Sequence, residues 1–175
     1  MIWRIIKSVC ALCLLLFLSN CGIYSFTGAS ISPDVKNISI QTFFNNAPLG
    51  PSNMSVVFTE KIKDYFQQNT NLELTDSNGD LQIDGYISNY TITPVAATAG
   101  GGQNQFEVSE QSRITITVSA SYINIKDPTF DFDQTFSFFR DFDTNADLAS
   151  EEEAFVDEIF DQIVLDIFNA SVANW

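Results

Sequence analysis

Histidine is absent from this 175-residue chain, and cysteine is scarce. Without histidine, a serine or cysteine nucleophile has no conventional general base, so we expect no catalytic site of these classes and no enzyme activity. Cys10 and Cys13 lie in an N-terminal segment that we predict is removed, which leaves Cys21 as the one cysteine of the mature chain. The mature chain therefore cannot form an internal disulfide bond or a CxxC metal site.

Basic residues are also few, at 8 Lys and Arg against 22 Asp and Glu. Arg4 and Lys7 are the charged residues of the first 20, so their removal leaves six basic and 22 acidic residues and a net charge of −16. Nucleic acid is excluded as a partner, because its phosphates require a basic surface. The same imbalance argues against electrostatic docking on an anionic membrane.

Long hydrophobic runs are missing too. The apolar run at residues 9–18 is much shorter than the ~20 residues that a transmembrane helix needs. A basic start, a short apolar stretch and small residues ahead of a cleavage site indicate a secretory signal peptide, here residues 1–20. We predict no cofactor and no metal for the domain that follows.

The predicted cleavage site reads Leu18-Ser19-Asn20-Cys21, followed by Gly22. It resembles a lipobox, in which the cysteine thiol receives a diacylglyceryl group before cleavage. Two or three acyl chains on Cys21 would hold the protein stably at a membrane, whereas a single chain binds only marginally. An ordinary signal peptide followed by an unrelated cysteine is the alternative.

After the signal peptide, residues 21–34 are predicted to form a lipidated tether and residues 35–175 a single domain. Period-two patterns indicate strands over 35–44, from Leu81 to Ile92, over 113–126 and over 130–139, with a short extended piece at 72–74. Apolar residues spaced by three and four predict a helix over 52–69, with Lys61 and Lys63 on its solvent side. The glycine-rich stretch 98–105 is predicted to be a loop.

A final helix is predicted to begin at Ser150, where Ser150 and Glu153 would form a capping box. Two adjacent rows of apolar residues then follow at helical spacing: Phe155, Ile159, Ile163 and Ile167, and Val156, Phe160, Val164 and Phe168. So wide an apolar face must pack on a sheet. The sequence therefore predicts an α+β two-layer sandwich, in which two helices cover one face of a mainly antiparallel sheet.

Acidic residues before the last helix have the spacing of a calcium-binding loop. Asp141, Asp143, Asn145, Asp147 and Glu152 match its positions 1, 3, 5, 7 and 12. Position 6 requires a glycine for the sharp turn but is Ala146, and a predicted strand rather than a helix precedes the segment. The sequence therefore favours a polar loop leading into a helix, with calcium binding as the alternative.

Six stretches of the chain, in order, resemble the LptE family, the lipoprotein partners of the lipopolysaccharide-assembly barrel LptD. The matching stretches are residues 21–28 (CGIYSFTG), 35–43 (VKNISIQTF), 79–87 (GDLQIDGYI), 113–118 (RITITV), 131–139 (DFDQTFSFF) and 166–170 (DIFNA). The resemblance implies a β-α-β-β-β-α order, which agrees with the pattern derived from periodicity.

The resemblance also implies a location and partners. It implies a lipoprotein on the periplasmic side of the outer membrane that assists the assembly of an LptD-like barrel and helps lipopolysaccharide reach the outer leaflet. Lipopolysaccharide is a candidate direct partner. A free-standing periplasmic ligand-binding lipoprotein is the competing hypothesis, and it requires an apolar pocket between helices and sheet. An enzyme would instead require perturbed carboxylates in a cleft.

The lipobox can be tested by replacing Cys21 with Ser. We expect the variant to lack the diacylglyceryl group, so its domain should move from the membrane to the soluble fraction. Fractionation and the N-terminal mass of both proteins measure this. Sedimentation of the variant with membranes, together with an unmodified N terminus in the wild type, would contradict the lipobox.

Overall fold

The computed structural model describes residues 31–95 and 111–172. Their helices and strands confirm the predicted α+β class. In chain order these elements are β1 (Asn37–Ile40), β2 (Phe44–Asn45), α1 (Met54–Asn69), β3 (Glu73–Thr75), β4 (Leu81–Val95), β5 (Gln111–Asn124), β6 (Phe132–Asp143) and α2 (Leu148–Val172).

The strands form one sheet in the order β3-β1-β4-β5-β6, and β2 pairs with β4 beyond β1. The three long strands β4, β5 and β6 are antiparallel to one another, which confirms the mainly antiparallel prediction. The three short strands differ, because β1 runs parallel to β3 and β4, and β2 runs parallel to β4. The sheet is therefore mixed at the β1 side and antiparallel at the β6 side.

The chain crosses from β3 to β4 over the outside of β1 in five residues. Gly79 donates its N–H to the hydroxyl of Ser39 at 3.2 Å, and Asp80 donates its N–H to the side chain of Asn37 at 2.7 Å. Ser39 is consequently buried on the face of the sheet that the helices do not cover. A Cβ at Gly79 would come within 2.4 Å of the backbone nitrogen of Ser39, so this crossing requires glycine.

The core lies between the sheet and the two helices. All eight apolar residues predicted for the last helix are buried, as are alternate residues of β5 from Ile114 to Tyr122. Phe58 on α1 lies at its centre, with its ring centroid 4.9 Å from those of both Phe43 and Phe160. Edge-to-face contacts of this kind join β1–β2, α1 and α2 in one aromatic cluster.

The alternation of core-facing and outward-facing side chains on β4 shifts by one residue part-way along the strand. Leu81, Ile83 and Ile87 face the core at period two, and a bulge between Ile87 and Asn89 then brings Tyr90 inward. An extra residue at a bulge shifts the alternation by one, so the spacing of three between Ile87 and Tyr90 has a simple cause.

The predicted start of the last helix is wrong. The helix begins at Leu148, so Ser150 lies inside its first turn, and the Ser150 hydroxyl donates to the carbonyl oxygen of Asp147 at 2.8 Å. Ser150 is therefore a residue of the helix itself, and among the described residues no N-terminal amide donates to its hydroxyl, so it is not the cap of a capping box. Strand β6 also differs from the prediction, since it continues to Asp143 rather than ending at Phe139.

Gly85 provides a test of the packing between β4 and β5. A Cβ at this position would overlap the carbonyl oxygen of Ser119 and lie 2.6 Å from Cε1 of Phe43. We expect Gly85→Ala to lower the free energy of unfolding by about 1–3 kcal/mol, because overpacking forces the backbone to move. Ser119→Ala is the control and should change it by less than about 0.5 kcal/mol. Denaturant melts measure the free energy of unfolding of each variant. Equal values for the two variants would contradict this packing.

Candidate interaction surfaces

The sheet face opposite the helices is left uncovered along the three long strands. We call it the open face. Its side chains alternate with the core residues of the three long strands, and most of them are hydroxyls or amides. They are Asp84, Tyr86, Asn89, Thr91 and Thr93 on β4; Arg113, Thr115, Thr117, Ser119 and Ser121 on β5; and Asp133, Thr135, Ser137, Phe139 and Asp141 on β6.

Arg113 is the cation of the open face, and Asp141 neutralises it. Its guanidinium donates to both carboxylate oxygens of Asp141, at 2.6 and 2.8 Å, from the directly opposite position on β6. The guanidinium also lies 3.6 Å from the ring centroid of Phe139. The hydrogen bond from Arg113 lowers the pKa of Asp141 below its ordinary value. A planar, bidentate and stacked pair of this kind leaves Arg113 with little capacity to bind a phosphate.

Four of the other basic side chains in the described regions also pair with carboxylates. Arg140 lies 3.0 Å from Glu158, Lys126 lies 2.9 Å from Asp80, and Lys63 lies 3.6 Å from Glu60. Lys61 lies 2.9 Å from Asp157 and also binds Asp161. The described parts of the chain therefore present no cluster of free cations.

Lys61 corrects a prediction. We expected it on the solvent side of α1, but its side chain is only 22% exposed and reaches across to α2. The two carboxylates that it binds lie one turn apart on α2, so Lys61 joins the two helices. Its periodicity on α1 could not show this, because the position of α2 is set by tertiary packing.

Tyr90 ties the β4 bulge to the start of α2. Its hydroxyl donates to Oε1 of Glu152 at 2.6 Å, and its ring is almost fully buried. Burial raises the pKa of Tyr90 above its ordinary value, and the hydrogen bond to Glu152 adds to the shift. The phenol therefore stays protonated at physiological pH and acts as a hydrogen-bond donor.

The residues of the candidate calcium loop serve other partners. Asp141 binds Arg113, Glu152 accepts from Tyr90, and Asp143 accepts from the backbone and side chain of Asn145. Asp141 and Asp143 lie in β6, whereas Asn145 and Asp147 lie in the turn that precedes α2. Within residues 31–95 and 111–172, no three acidic or sulfur side chains come together as metal ligands.

Several predicted features lie outside the described residues. They are the signal peptide 1–20, Cys21 with most of the tether, and the loop 98–105. Val35 is buried at the edge of the core, next to the end of the predicted tether. No helix in the described ranges is long and apolar enough to cross a membrane.

The described clefts lie at the margins of the domain. One, with a volume of about 470 Å³, lies where residues 31–35 approach the end of β5, and another of about 520 Å³ lies between β6 and α2. The space between helices and sheet is filled instead by side chains such as Phe58, Ile116 and Phe160, each 0% exposed. This packing does not favour the alternative of a ligand-binding lipoprotein, which needs a pocket in that place.

Residues 35–171 match the family described as LptE, lipopolysaccharide-assembly. The chain belongs to the LptE family. The match covers most of the sequence and the whole of the described fold from β1 almost to the end of α2. Among curated proteins, no sequence matches.

Solved structures related to this LptE-family chain have low sequence identity. A hypothetical protein from Chlamydia trachomatis is 12% identical with a TM-score of 0.51, and the alignment covers 80% of this chain and 99% of that one. Rare lipoprotein B from Shewanella oneidensis is 15% identical with a TM-score of 0.49, over 77% and 92%. A minor lipoprotein from Acinetobacter baumannii is 15% identical with a TM-score of 0.48, over 77% and 91%. The likeness to the chlamydial protein supports the fold.

The sequence carries only one signal of the open face, and it lies on β5. The alternation of Thr115, Thr117 and Ser119 with buried Ile116 and Val118 predicts a polar face on β5. What the sequence could not show is that β4 and β6 continue that face on both sides.

Asp80 gives a pH-dependent test of the β1 side of the sheet. The pKa of its carboxylate is lowered by a hydrogen bond from the Lys36 backbone N–H and by the ammonium of Lys126. A lowered native pKa stabilises the fold above the unfolded-state pKa, and this stabilisation is lost as the pH falls through the native pKa. The Asp80→Asn variant should therefore have a lower melting temperature than the wild type at pH 7. The difference between the two melting temperatures should shrink below pH ~4. Asp84→Asn is the control, and a difference that does not depend on pH would contradict the pairing.

Proposed function

We propose that this protein is a lipid-anchored partner of an LptD-like outer-membrane barrel. It assists the assembly of the barrel and the insertion of lipopolysaccharide into the outer leaflet, from the periplasmic side of the outer membrane. The observation that carries the proposal is the match to the LptE family over residues 35–171. The predicted lipidation of Cys21 would supply the membrane anchor.

We assign the contact with the barrel to the open face. The strands β4, β5 and β6 contain 12 to 15 residues each, so the face is roughly 40 Å long at 3.3 Å per residue. Its Thr, Ser and Asn side chains offer donors and acceptors without charge. The interior of an outer-membrane barrel is polar, so a hydroxyl-rich face is chemically suited to it.

Direct attraction to lipopolysaccharide phosphates has little support from the charges. Five basic side chains of the described domain bind carboxylates of the same chain. The net charge of the mature chain is −16, so its carboxylates repel an anionic glycolipid within the ~8 Å beyond which salt screens them. We therefore infer that the protein promotes lipopolysaccharide insertion through the barrel rather than by holding phosphates itself.

The surface can be tested with one bulky substitution on each side of the molecule. Ser119→Trp places an indole in the middle of the open face, whereas Gln67→Trp places one on the exposed side of α1. A closely packed polar interface has no room for an indole. We therefore expect Ser119→Trp to reduce the amount of barrel that co-purifies with the lipoprotein by about tenfold or more, which corresponds to ~1.4 kcal/mol of binding free energy. Surface lipopolysaccharide should fall with it, and Gln67→Trp should change neither. Thermal melts of both variants show that they fold. Equal recovery with both would contradict the assignment to the open face.

A charge-removing variant tests the indirect role in lipid insertion. Lys63→Gln removes a cation that only approaches Glu60 at 3.6 Å. Lys61 is unsuitable, because its loss would also remove the ion pairs with Asp157 and Asp161 that link the two helices. We expect the Lys63→Gln variant to retain normal barrel recovery and normal surface lipopolysaccharide. Normal recovery with a collapse of surface lipopolysaccharide would show that direct contact with the lipid matters.

A further inference from the structure

We propose that the outer edge of β6 binds an extended segment of a partner polypeptide that carries basic side chains. The segment would add to the sheet as a further strand. This site is distinct from the open face, since it uses the backbone edge of the sheet and the groove beneath it.

Strand β6 is the last strand in the sheet order, and it pairs with β5 along its whole length. In the described part of the chain no strand pairs with its other side. Alternate N–H and C=O groups of β6 therefore point away from the sheet. An unpaired edge of this kind is a template for another strand.

The middle of this edge lacks the usual protection. Natural edge strands are kept short or carry a bulge, a proline or charged side chains, lysine above all. Strand β6 has 12 residues, its register with β5 is unbroken, it contains neither proline nor lysine, and its charged residues lie toward its two ends. Its central residues 134–139 are uncharged, so the middle of the edge remains available for pairing.

A groove between β6 and α2 lies beneath the edge. It has a volume of about 520 Å³, and Tyr65, Phe138 and Leu165 contribute apolar surface to it. Phe138 lies opposite Ile116 on the helix-facing side of the sheet, yet it is 37% exposed because nothing in the described chain covers it from the edge. Since side chains of an added strand alternate between faces, every second one would enter this groove.

The charges around the edge define the partner's chemistry. Asp133 is exposed near one end of β6, and Asp143 is exposed at the other. Glu158 and Asp161 line the groove below, where they already pair with Arg140 and Lys61. The carboxylates open to a partner are therefore those of Asp133 and Asp143, which form no ion pair within the described residues. An added strand with lysine or arginine at its ends would find complementary carboxylates, whereas an acidic strand would be repelled.

A second copy of this chain fits the edge poorly. Two antiparallel β6 strands centred on Ser137 would place Asp133 of one copy opposite Asp141 of the other, at both ends of the pair. Like charges directly opposite each other destabilise a strand pair. The occupant that fits is therefore a different polypeptide.

A synthetic peptide tests strand addition directly. The probe has ten residues, with alternating valine and threonine and with two lysines at each end. One control carries methyl groups on alternate backbone nitrogens, and the other carries glutamates in place of the lysines. Titration of the full mature lipoprotein in mild detergent should show that both controls bind about tenfold more weakly or worse, a loss of ~1.4 kcal/mol. Amide hydrogen exchange should slow along β6, but not along β4.

Matched charge reversals locate the binding. Asp84 and Asp133 lie in the same row across the sheet, each opposite Ser121, but Asp84 belongs to the interior strand β4. Asp133→Lys should weaken binding of the lysine peptide about tenfold, while Asp84→Lys should leave it almost unchanged. Equal losses would overturn the proposal in favour of general charge attraction.

Three other results would overturn it. Equal binding of the methylated peptide would show that backbone pairing is not involved. Slow exchange of the outward β6 amides in the free monomer would show that the edge is already covered. Dimers of the mature chain with protected β6 amides would show that the occupant is a second copy.

Discussion

The contact between α2 and the long antiparallel strands is the constraint on which the rest of the structure depends. The two apolar rows of α2 are buried, and each such side chain contributes roughly 1.5–3 kcal/mol when fully removed from water. These rows require a continuous apolar surface, which the helix-facing residues of β5 and β6 provide. Because a strand alternates its side chains, burying one face of the sheet necessarily presents another set of side chains on the other face.

The open face follows from this constraint. Ile114, Ile116 and Val118 must face α2, so Thr115, Thr117 and Ser119 must face away from it. Both helices pack on the same side, and no described helix covers the other side of β4, β5 and β6. Hydroxyls suit such a surface, since they remain soluble without a partner and can still form hydrogen bonds with one. A polar binding surface is thus a consequence of the way in which the core is built.

The elements with the strongest periodicity could be predicted from the sequence. The two rows of α2 and the alternation on β5 each repeat over many residues, and burial confirmed both. The capping box at Ser150 was predicted wrongly because it is a local pattern. A serine three residues before a glutamate also occurs inside a helix, and tertiary packing decides where the first turn begins.

The surfaces were harder to predict, because they depend on which strands become neighbours. The positions of Arg113 and Asp141 are 28 residues apart in sequence, and only the β5–β6 register places them opposite each other. The same holds for Lys61, which meets Asp157 and Asp161 across two helices. Long-range pairs of this kind have no local sequence signal.

These ion pairs determine which partners the charge of the protein favours. Sequence alone counts six mature basic residues, and a cluster of them could still have bound phosphate. The structure instead places five of them next to carboxylates of the same domain, on both helices and on the long strands. Pairing leaves the net charge of −16 unchanged, but it leaves few cations able to bind an anion. A surface of that character favours partners that offer hydrogen bonds or cations, and both the hydroxyl-rich open face and the acidic edge of β6 have that property.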